Sequence, residues 1–327
     1  MIARSPKALH LPGDMPDPSV VAAYLHCRKI ARSAARNFYY GFVLLPDAKR
    51  DALCALYAFM RGVDDISDEP GALEEKRAGL RKLRGDMDRA LAGESTNDPV
   101  WIALRDTVLR FRIPHRYLRD LISGAEMDLT ISGYETFENL RKYCYHVAGA
   151  VGLCCLYVFE FTDAQAPELA EKLGIAFQLT NILRDVCADY AMGRTYIPRE
   201  DLLKFGCDAE REFKQGNASQ CAAELLRFEA ERAWQFYREG WKLLPLVNAD
   251  SRAALWAMAR IYLGILEKID KLGAAVLNGE RARLSAAQKT WILLRARLRW
   301  FKENDGLQER DRDWRRTGGA VGSHGAR

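Results

Sequence analysis

Apolar residues recur along this chain at intervals of three and four positions, which is the period of an amphipathic α-helix. We find no alternation of apolar and polar residues and no hairpin signal that would indicate β-strands. Boundary residues support the helices: Pro46 and Pro114 each precede an apolar run, and Thr136 offers an N-cap before another. The pattern predicts helices over approximately 18–36, 46–66, 71–92, 98–111, 114–129, 136–160, 164–191, 217–243, 248–272 and 285–301.

The predicted helices belong to one all-α domain. Their connections are short, and no segment rich in Ser, Gly and Pro divides the chain. We therefore expect a single helical domain over 17–302, preceded by a flexible N-terminus at 1–16. Helical periodicity is lost over 303–327, where glycine becomes frequent, and this tail is expected to be disordered.

Two of the predicted helices carry acidic stripes with nearly the same spacing. The stripes consist of Tyr57, Arg61, Asp64 and Asp68, and of Gln178, Asn181, Asp185 and Asp189. At about 100° per residue, the first set falls within about a 60° sector of its helix and the second within about 80°. Each helix therefore directs two carboxylates, one turn apart, to the same side.

This arrangement suits hard divalent cations and phosphates. Both stripes lie beside strongly apolar sequence, where an ionised carboxylate needs a compensating cation. Magnesium takes oxygen ligands and usually binds through one or two carboxylates together with substrate phosphates. Two stripes that face each other would hold such ions around a diphosphate and neutralise it as it leaves. Hydrogen-bond donors near the stripes would also contact the diphosphate. They are Arg61, Arg184, Arg194 and Tyr196.

Other interpretations of these residues have less support. One acidic pair spaced four residues apart is a weak signal, because such pairs are common on exposed helix faces. The chain lacks the GxxxxGK[ST], GxGxxG, HExxH and GxSxG motifs. A di-iron bundle needs Glu-x-x-His pairs, and neither His115 nor His146 has a glutamate three residues before it.

One apolar helix concentrates small residues, namely Ala148, Gly149, Ala150 and Gly152. Glycine lowers helix stability, so its use here needs a reason. The small residues could allow close packing against a neighbouring helix, or they could leave room for a long apolar ligand between helices. The sequence leaves both explanations open.

Composition limits the classes of partner. The chain has 49 basic and 44 acidic residues among 327, a net charge of +5, which is too mild and too mixed for a nucleic-acid-binding protein. The basic surplus falls mainly between Arg281 and Lys302, where it is compatible with peripheral contact with an anionic lipid surface.

The cysteines and the apolar runs favour a cytoplasmic protein. Eight cysteines are scattered through apolar sequence without a CxxC pair, as expected for reduced thiols. The N-terminus has no apolar signal-peptide core. The longest uncharged apolar run, 147–159, has 13 residues and is too short to cross a bilayer as a helix.

Three segments resemble the squalene/phytoene synthase family of head-to-head prenyl synthases. They are YAFMRGVDDISDE at 57–69, YCYHVAGAVGLCCLYV at 143–158 and LGIAFQLTNILRDVCADYAMGRTYIP at 173–198. The resemblance extends from about Phe38 to Arg281, most of the chain. It implies the isoprenoid-synthase fold, a single-domain helical bundle around a central cavity.

The resemblance also implies roles for individual residues. The metal-binding residues would be Asp64, Asp68, Asn181, Asp185 and Asp189. The catalytic residues would be the four aspartates together with Tyr57, Arg61 and Tyr143. Substrate would be bound by Phe38, Ala148, Gly149, Gly152, Gln178, Asn181, Arg184, Arg194, Tyr196, Tyr262 and Arg281. Family members often carry Ser-x-Ser-Phe where this chain has Ala35-Arg36-Asn37-Phe38, so the serine contacts of that segment are not expected here.

The implied reaction joins two identical allylic prenyl diphosphates through a cyclopropylcarbinyl diphosphate and releases diphosphate. The implied cofactor is Mg²⁺, two or three ions held with the substrate diphosphate, and NADPH would be needed only if the reaction proceeds to squalene. The product remains open between phytoene from geranylgeranyl diphosphate and presqualene diphosphate or squalene from farnesyl diphosphate. The alternatives are a class I terpene cyclase that acts on one prenyl diphosphate and a non-enzymatic helical scaffold.

Overall fold

The computed structural model describes residues 17–34, 39–214, 219–279 and 281–298. Its α-helices in these ranges are α1 (Pro18–Ala34), α2 (Tyr39–Phe42), α3 (Asp47–Asp68), α4 (Leu73–Ala92), α5 (Pro99–Phe111), α6 (His115–Asp128), α7 (Phe137–Cys144), α8 (Ala150–Phe159), α9 (Ala166–Ala191), α10 (Arg199–Phe205), α11 (Gln220–Gly240), α12 (Arg252–Leu272) and α13 (Ala286–Arg297). The all-α prediction is confirmed, because β-structure in the described ranges is limited to two isolated bridges. The predicted N-terminus 1–16, the tail 303–327 and Phe38 lie outside the described residues.

Local chemistry sets the helix ends. The Asp98 side chain accepts a hydrogen bond from the Val100 amide and caps α5, with Pro99 at the first helical position. Thr136 caps α7 through the Asn139 amide, as the sequence predicts. Helix α4 ends at Gly93, whose φ of 99° is a left-handed conformation that glycine adopts without a Cβ clash.

Several elements differ from the sequence prediction. The helix predicted over 136–160 is interrupted by a π turn at Tyr145–Gly149. Helix α10 is not among the helices that the periodicity predicts. It is short, follows Pro198 and ends at the left-handed Gly206, so its apolar periodicity is too brief to detect. Helix α12 begins at Arg252 rather than at 248, because the Ser251 amide bonds back to the Asn248 carbonyl in a turn.

The core of the bundle forms around α8 and α9. Helix α8 packs against α3, α6 and α9, and α9 also contacts α11 and α12. Apolar side chains from these helices are almost fully buried, including Phe59, Leu118, Leu156, Ile182 and Trp256. Most of the molecule's apolar surface therefore lies around one central region.

The stretch Phe137–Phe159 is long and apolar enough to cross a membrane by length and composition, with a mean hydropathy of 1.2. Of the 18-residue window that meets this criterion, 56% is buried inside the protein. It is also broken by the π turn and contacts helices on several sides. It is a core helix of this bundle.

Candidate active site

A cavity of about 390 Å³ lies at the centre of the bundle. This volume is within the usual range of small-molecule sites. Its walls come mainly from α3, α6, the π turn with α8, α9 and α12. The cavity has a polar end with carboxylates and an apolar end made of aliphatic and aromatic side chains.

Helix α3 supplies a wall of the cavity that is apolar at one end and acidic at the other. Its lining residues run from Leu53 through Leu56, Tyr57 and Met60 to Asp64 and Asp68. These positions recur every three or four residues, so one face of α3 follows the cavity. At about 1.5 Å per residue, the path from Leu53 to Asp68 is about 22 Å. The two aspartates of the first acidic stripe therefore lie at one end of the cavity, and apolar side chains of α3 line the rest of this wall.

Helix α9 brings the second stripe to the same cavity through Gln178 and Asn181, which both line it. The Asn181 side-chain nitrogen donates to the Gln178 Oε1 at 3.3 Å. Among the described residues, the buried Asn181 Oδ1 has no hydrogen-bond partner. A buried acceptor is expensive to leave unsatisfied, so this oxygen is suited to a bound ligand or cation.

Asp185 and Asp189 lie further along α9 and are not among the residues that line the cavity. Asp185 forms ion pairs with Arg184 and, at 2.7 Å, with Arg281. Arg281, near the end of the described chain, therefore lies beside the second stripe. The resemblance implied that it binds substrate. Two guanidinium groups beside one carboxylate are also well placed to contact a diphosphate.

A third acidic position, Asp128 at the end of α6, joins the two stripes and was missed by the sequence analysis. It lines the cavity, and its carboxylate oxygens lie 3.2 Å from the Tyr143 hydroxyl and 3.1 Å from the Tyr196 hydroxyl. Its negative charge adds to the electrostatic repulsion at both Asp64 and Asp189. Asp128 follows Leu121 and Ala125 on one helical face, and this apolar face ending in an acid was the only available signal.

The carboxyl groups of Asp64, Asp128 and Asp189 resist ionisation. Burial first, and then the charge of Asp68, raise the pKa of Asp64 to about 7. Burial and the neighbouring Asp185 raise the pKa of Asp189 to about 6. Burial also raises the pKa of Asp128, against the hydrogen bonds from its two tyrosines and the charge of Arg194. The polar end therefore holds more potential negative charge than its arginines neutralise.

The other residues that the resemblance implied do not all line the cavity. Tyr57, Ala148 and Gly152 line the cavity. Arg61 forms an ion pair with Asp65 at 2.5 Å on the exposed side of α3. Tyr262 lies behind the cavity wall, stacked on Phe177 with ring centroids 4.4 Å apart. Gly149 is not among the lining residues.

The contacts of the small residues show why two of them are glycine. A Cβ added at Gly149 would meet the side chains of Tyr145 and Glu171 at 3.2 and 3.3 Å. A Cβ added at Gly152 would lie 2.7 Å from the Ala170 carbonyl oxygen on α9. Gly152 therefore permits close helix packing and also borders the cavity, so both explanations for the small residues apply to it.

The donor set fits magnesium held with a diphosphate. Within the described residues, no three His, Cys, Asp or Glu side chains are grouped so that they could hold a metal on their own. Carboxylates paired one helical turn apart, with the free Asn181 Oδ1 nearby, are instead suited to ions that take further oxygens from a substrate.

Comparison with known proteins identifies the family. Residues 31–288 match the squalene/phytoene synthase family, and the chain belongs to it. The chain is 39% identical over 272 residues to the phytoene synthase of Mycobacterium tuberculosis, covering 83% of this chain and 89% of the relative. It is 36% identical over 293 residues to the 15-cis-phytoene synthase of Synechococcus elongatus, covering 86% and 94%.

Solved structures support the same assignment. A dehydrosqualene synthase crystallised with a ligand has a TM-score of 0.78 and 32% identity, over 86% of this chain and 98% of that chain. A squalene synthase from Alicyclobacillus acidocaldarius has a TM-score of 0.68 and 30% identity, over 81% and 95%. The isoprenoid-synthase fold expected from the sequence is confirmed.

The family and the site together define the type of enzyme. The protein is a prenyltransferase of the head-to-head class, and the terpene cyclase alternative is not favoured. A cavity with an acidic end and a long apolar end agrees with prenyl diphosphate substrates, which have a charged head and an apolar tail.

Proposed function

We propose that this protein condenses two molecules of geranylgeranyl diphosphate to phytoene and releases diphosphate. The observation that carries the proposal is the polarity of the cavity, which has carboxylates at Asp64, Asp68 and Asp128 and an apolar end beyond them. A prenyl diphosphate has the same division into a charged head and a long apolar tail. The relatives named phytoene synthase support the twenty-carbon substrate.

We place the diphosphates at the polar end of the cavity, where the arginines beside the second stripe would hold them. Arg184 and Arg281 already lie beside Asp185, and the positive charge of Arg194 acts on Asp128. Magnesium bound by the paired carboxylates and Asn181 would neutralise the leaving diphosphate and so favour ionisation of the allylic C–O bond. The arginines would orient the diphosphate oxygens through charge-assisted hydrogen bonds.

The cavity walls between the two ends would protect the allylic carbocation, which forms when the C–O bond ionises, from water. Tyr57 and Phe177 line the cavity and present aromatic faces, which attract positive charge. The Tyr143 hydroxyl is engaged with Asp128, and burial raises the pKa of this phenol strongly, so it remains protonated. Apolar walls keep water away from the cation while the double bond of the second substrate attacks it.

Farnesyl diphosphate is the second candidate substrate, with presqualene diphosphate or squalene as product. The structures of a dehydrosqualene synthase and a squalene synthase, at 32% and 30% identity, support this candidate. NADPH would then be required only for the reductive step to squalene.

Incubation with each diphosphate separately, with Mg²⁺ and with or without NADPH, distinguishes these products by mass spectrometry. We expect a forty-carbon hydrocarbon from geranylgeranyl diphosphate, formed without NADPH and abolished by EDTA. A thirty-carbon product formed at a much higher kcat/KM from farnesyl diphosphate would assign the second function. A product with the carbon number of a single substrate would contradict both.

We also propose a cytoplasmic protein that contacts membranes peripherally through α13. All eight cysteines are free thiols in the structure, which supports a reducing compartment. Trp291, Leu294 and Leu298 are 56%, 43% and 45% exposed, and their spacing places them on one side of α13. Arg297, which is exposed at the end of the same helix, would attract anionic lipid headgroups.

Flotation with phospholipid vesicles tests this contact. We expect binding to anionic vesicles that falls with salt and is lost in Trp291→Ser. Leu109→Ser, which alters an exposed apolar side chain on α5, is the matched control and should bind like the wild type. Equal binding by both variants would exclude α13 as the contact.

A further inference from the structure

A buried lysine lies behind the apolar end of the cavity, away from the carboxylates of the polar end. Lys49, in the first turns of α3, is 5% exposed. Its Nζ lies 2.7 Å from the Asp250 carboxylate and 2.8 Å from the Glu160 carboxylate. It also lies 3.1 Å from the Ser251 hydroxyl and 3.3 Å from the Phe159 carbonyl oxygen. These four acceptors compensate the burial of an ammonium group, which is otherwise strongly unfavourable.

The partners of Lys49 come from two further helix ends. Phe159 and Glu160 are the last residue and the C-cap of α8, where Glu160 takes a left-handed φ of 59° and the helix stops. Asp250 and Ser251 immediately precede α12. One ammonium group therefore joins the start of α3, the end of α8 and the start of α12.

Each of these helix ends supplies a residue to the apolar end of the cavity. Leu53 lies one turn after Lys49 on α3, and Leu255 lies one turn after Ser251, to which its amide is hydrogen-bonded at 3.0 Å. The Phe159 side chain lines the cavity while its carbonyl accepts from Lys49. The residues that close the cavity are thus fixed in place by the groups around Lys49.

We propose that Lys49 is a positioning residue that sets the longest prenyl chain the enzyme accepts. This inference rests on the proposed function, since it concerns the tail of the same substrate. The ion pairs hold α3, α8 and α12 together, and the cavity therefore ends at Leu53, Phe159 and Leu255. Without the ammonium group, the carboxylates of Asp250 and Glu160 repel each other and the three helix ends separate. The end of the cavity then opens to a longer tail.

Relative turnover of two substrates that differ by one isoprene unit tests the inference. The substrates are geranylgeranyl diphosphate, with twenty carbons, and geranylfarnesyl diphosphate, with twenty-five, each with Mg²⁺. We expect Lys49→Met to raise the ratio of kcat/KM for the longer over the shorter substrate by about tenfold or more, the discrimination that one small apolar group can provide. The change should appear mainly in KM for the longer substrate, because the polar end is untouched.

Two further variants separate this role from a contribution to stability alone. Asp250→Ala removes one partner whose side chain is 41% exposed, so it should fold and give a smaller shift in the same direction. Lys82→Met breaks an exposed ion pair with Asp86 on α4 and should leave the ratio unchanged. Melting temperatures are measured for all variants.

The outcomes are distinct. A raised ratio in Lys49→Met, with an intermediate ratio in Asp250→Ala, supports the inference. An unchanged ratio in a folded Lys49→Met protein, or in Asp250→Ala if Lys49→Met does not fold, overturns it. A wild-type protein that turns over no prenyl diphosphate contradicts the proposed function instead.

Discussion

At the scale of single residues, the polar end of the cavity is destabilised in the absence of ligand. Asp64 and Asp189 have pKa values raised to about 7 and about 6, mainly by burial and then by the neighbouring carboxylate. Beside them, Asp185 forms ion pairs with Arg184 and Arg281. A site that favours protonation when empty gains most from a bound cation, which relieves the repulsion.

Replacing Asp64 by Asn tests this charge. The folded-state pKa of Asp64 lies above its ordinary value of 3.8, so its contribution to stability is fully present below about pH 4 and is lost as the pH rises through about 7. We expect Asp64→Asn to raise the melting temperature of the ligand-free protein at pH 8 but not at pH 4. Turnover with Mg²⁺ should fall by a hundredfold or more.

Asp88→Asn is the matched control, because Asp88 lies on α4 in a partly exposed ion pair with Arg119. It should leave turnover unchanged. Retention of more than about a tenth of wild-type turnover in Asp64→Asn would contradict a direct role in metal binding.

Asp128 is the second residue whose charge can be tested. We expect Asp128→Asn to raise the Mg²⁺ concentration needed for half-maximal turnover by about 10–100-fold, the range for groups that support a metal site. Asp106→Asn is a close control, because Asp106 on α5 accepts a hydrogen bond from Tyr24 on α1 at 2.6 Å in a similar tyrosine–aspartate pair. A normal magnesium titration for Asp128→Asn would show that Asp128 only anchors Tyr143 and Tyr196.

At the scale of elements, the tight crossing between α8 and α9 explains the small residues. A Cβ at Gly174 would lie 2.4 Å from the Ala148 carbonyl oxygen, and one at Gly152 would lie 2.7 Å from that of Ala170. Close packing here brings Ala148 and Gly152 to the cavity wall opposite α3. The helix contact and the shape of the cavity therefore depend on the same residues.

Ala148 and Gly149 are adjacent but occupy different environments, and this difference gives a matched test. Ala148→Phe should project into the cavity, block or shorten condensation, and leave Mg²⁺-dependent binding of diphosphate intact. Gly149→Phe should overfill the contact with Tyr145 and Glu171 and lower stability by roughly 1–3 kcal/mol, with unchanged product ratios. Melting temperature and product profile distinguish these effects. Equal destabilisation of both variants with unchanged products would contradict a cavity position for Ala148.

The elements also show how far sequence reasoning extends. Long amphipathic helices such as α3, α9 and α11 are predictable, because their apolar periodicity persists over many turns. The π turn at Tyr145–Gly149 has no periodic signal, since a single extra residue in a helix changes only its phase. Asp128 could not be assigned from its neighbours in sequence, because its partners Tyr143 and Tyr196 meet it only in the folded bundle.

At the scale of the whole molecule, one bundle separates two kinds of surface along a single cavity. Charged groups from α3, α6 and α9 gather at one end, and the ends of α3, α8 and α12 close the other around Lys49. This separation lets one site ionise a diphosphate and also shield a long apolar tail from water. We therefore expect one orientation of the substrates, with diphosphates between the two stripes and tails directed toward Leu53 and Phe159.

A crystal structure with Mn²⁺ and geranylgeranyl thiodiphosphate, a slowly reacting substrate analogue, tests this orientation most directly. We expect anomalous peaks for Mn²⁺ beside the Asp64 and Asp68 carboxylates and beside those of Asp185 and Asp189, with diphosphate oxygens between them. We also expect a prenyl tail along α3 that ends beside Leu53, Phe159 and Leu255. Peaks at only one stripe, or a tail that leaves the cavity toward solvent, would rule out this orientation.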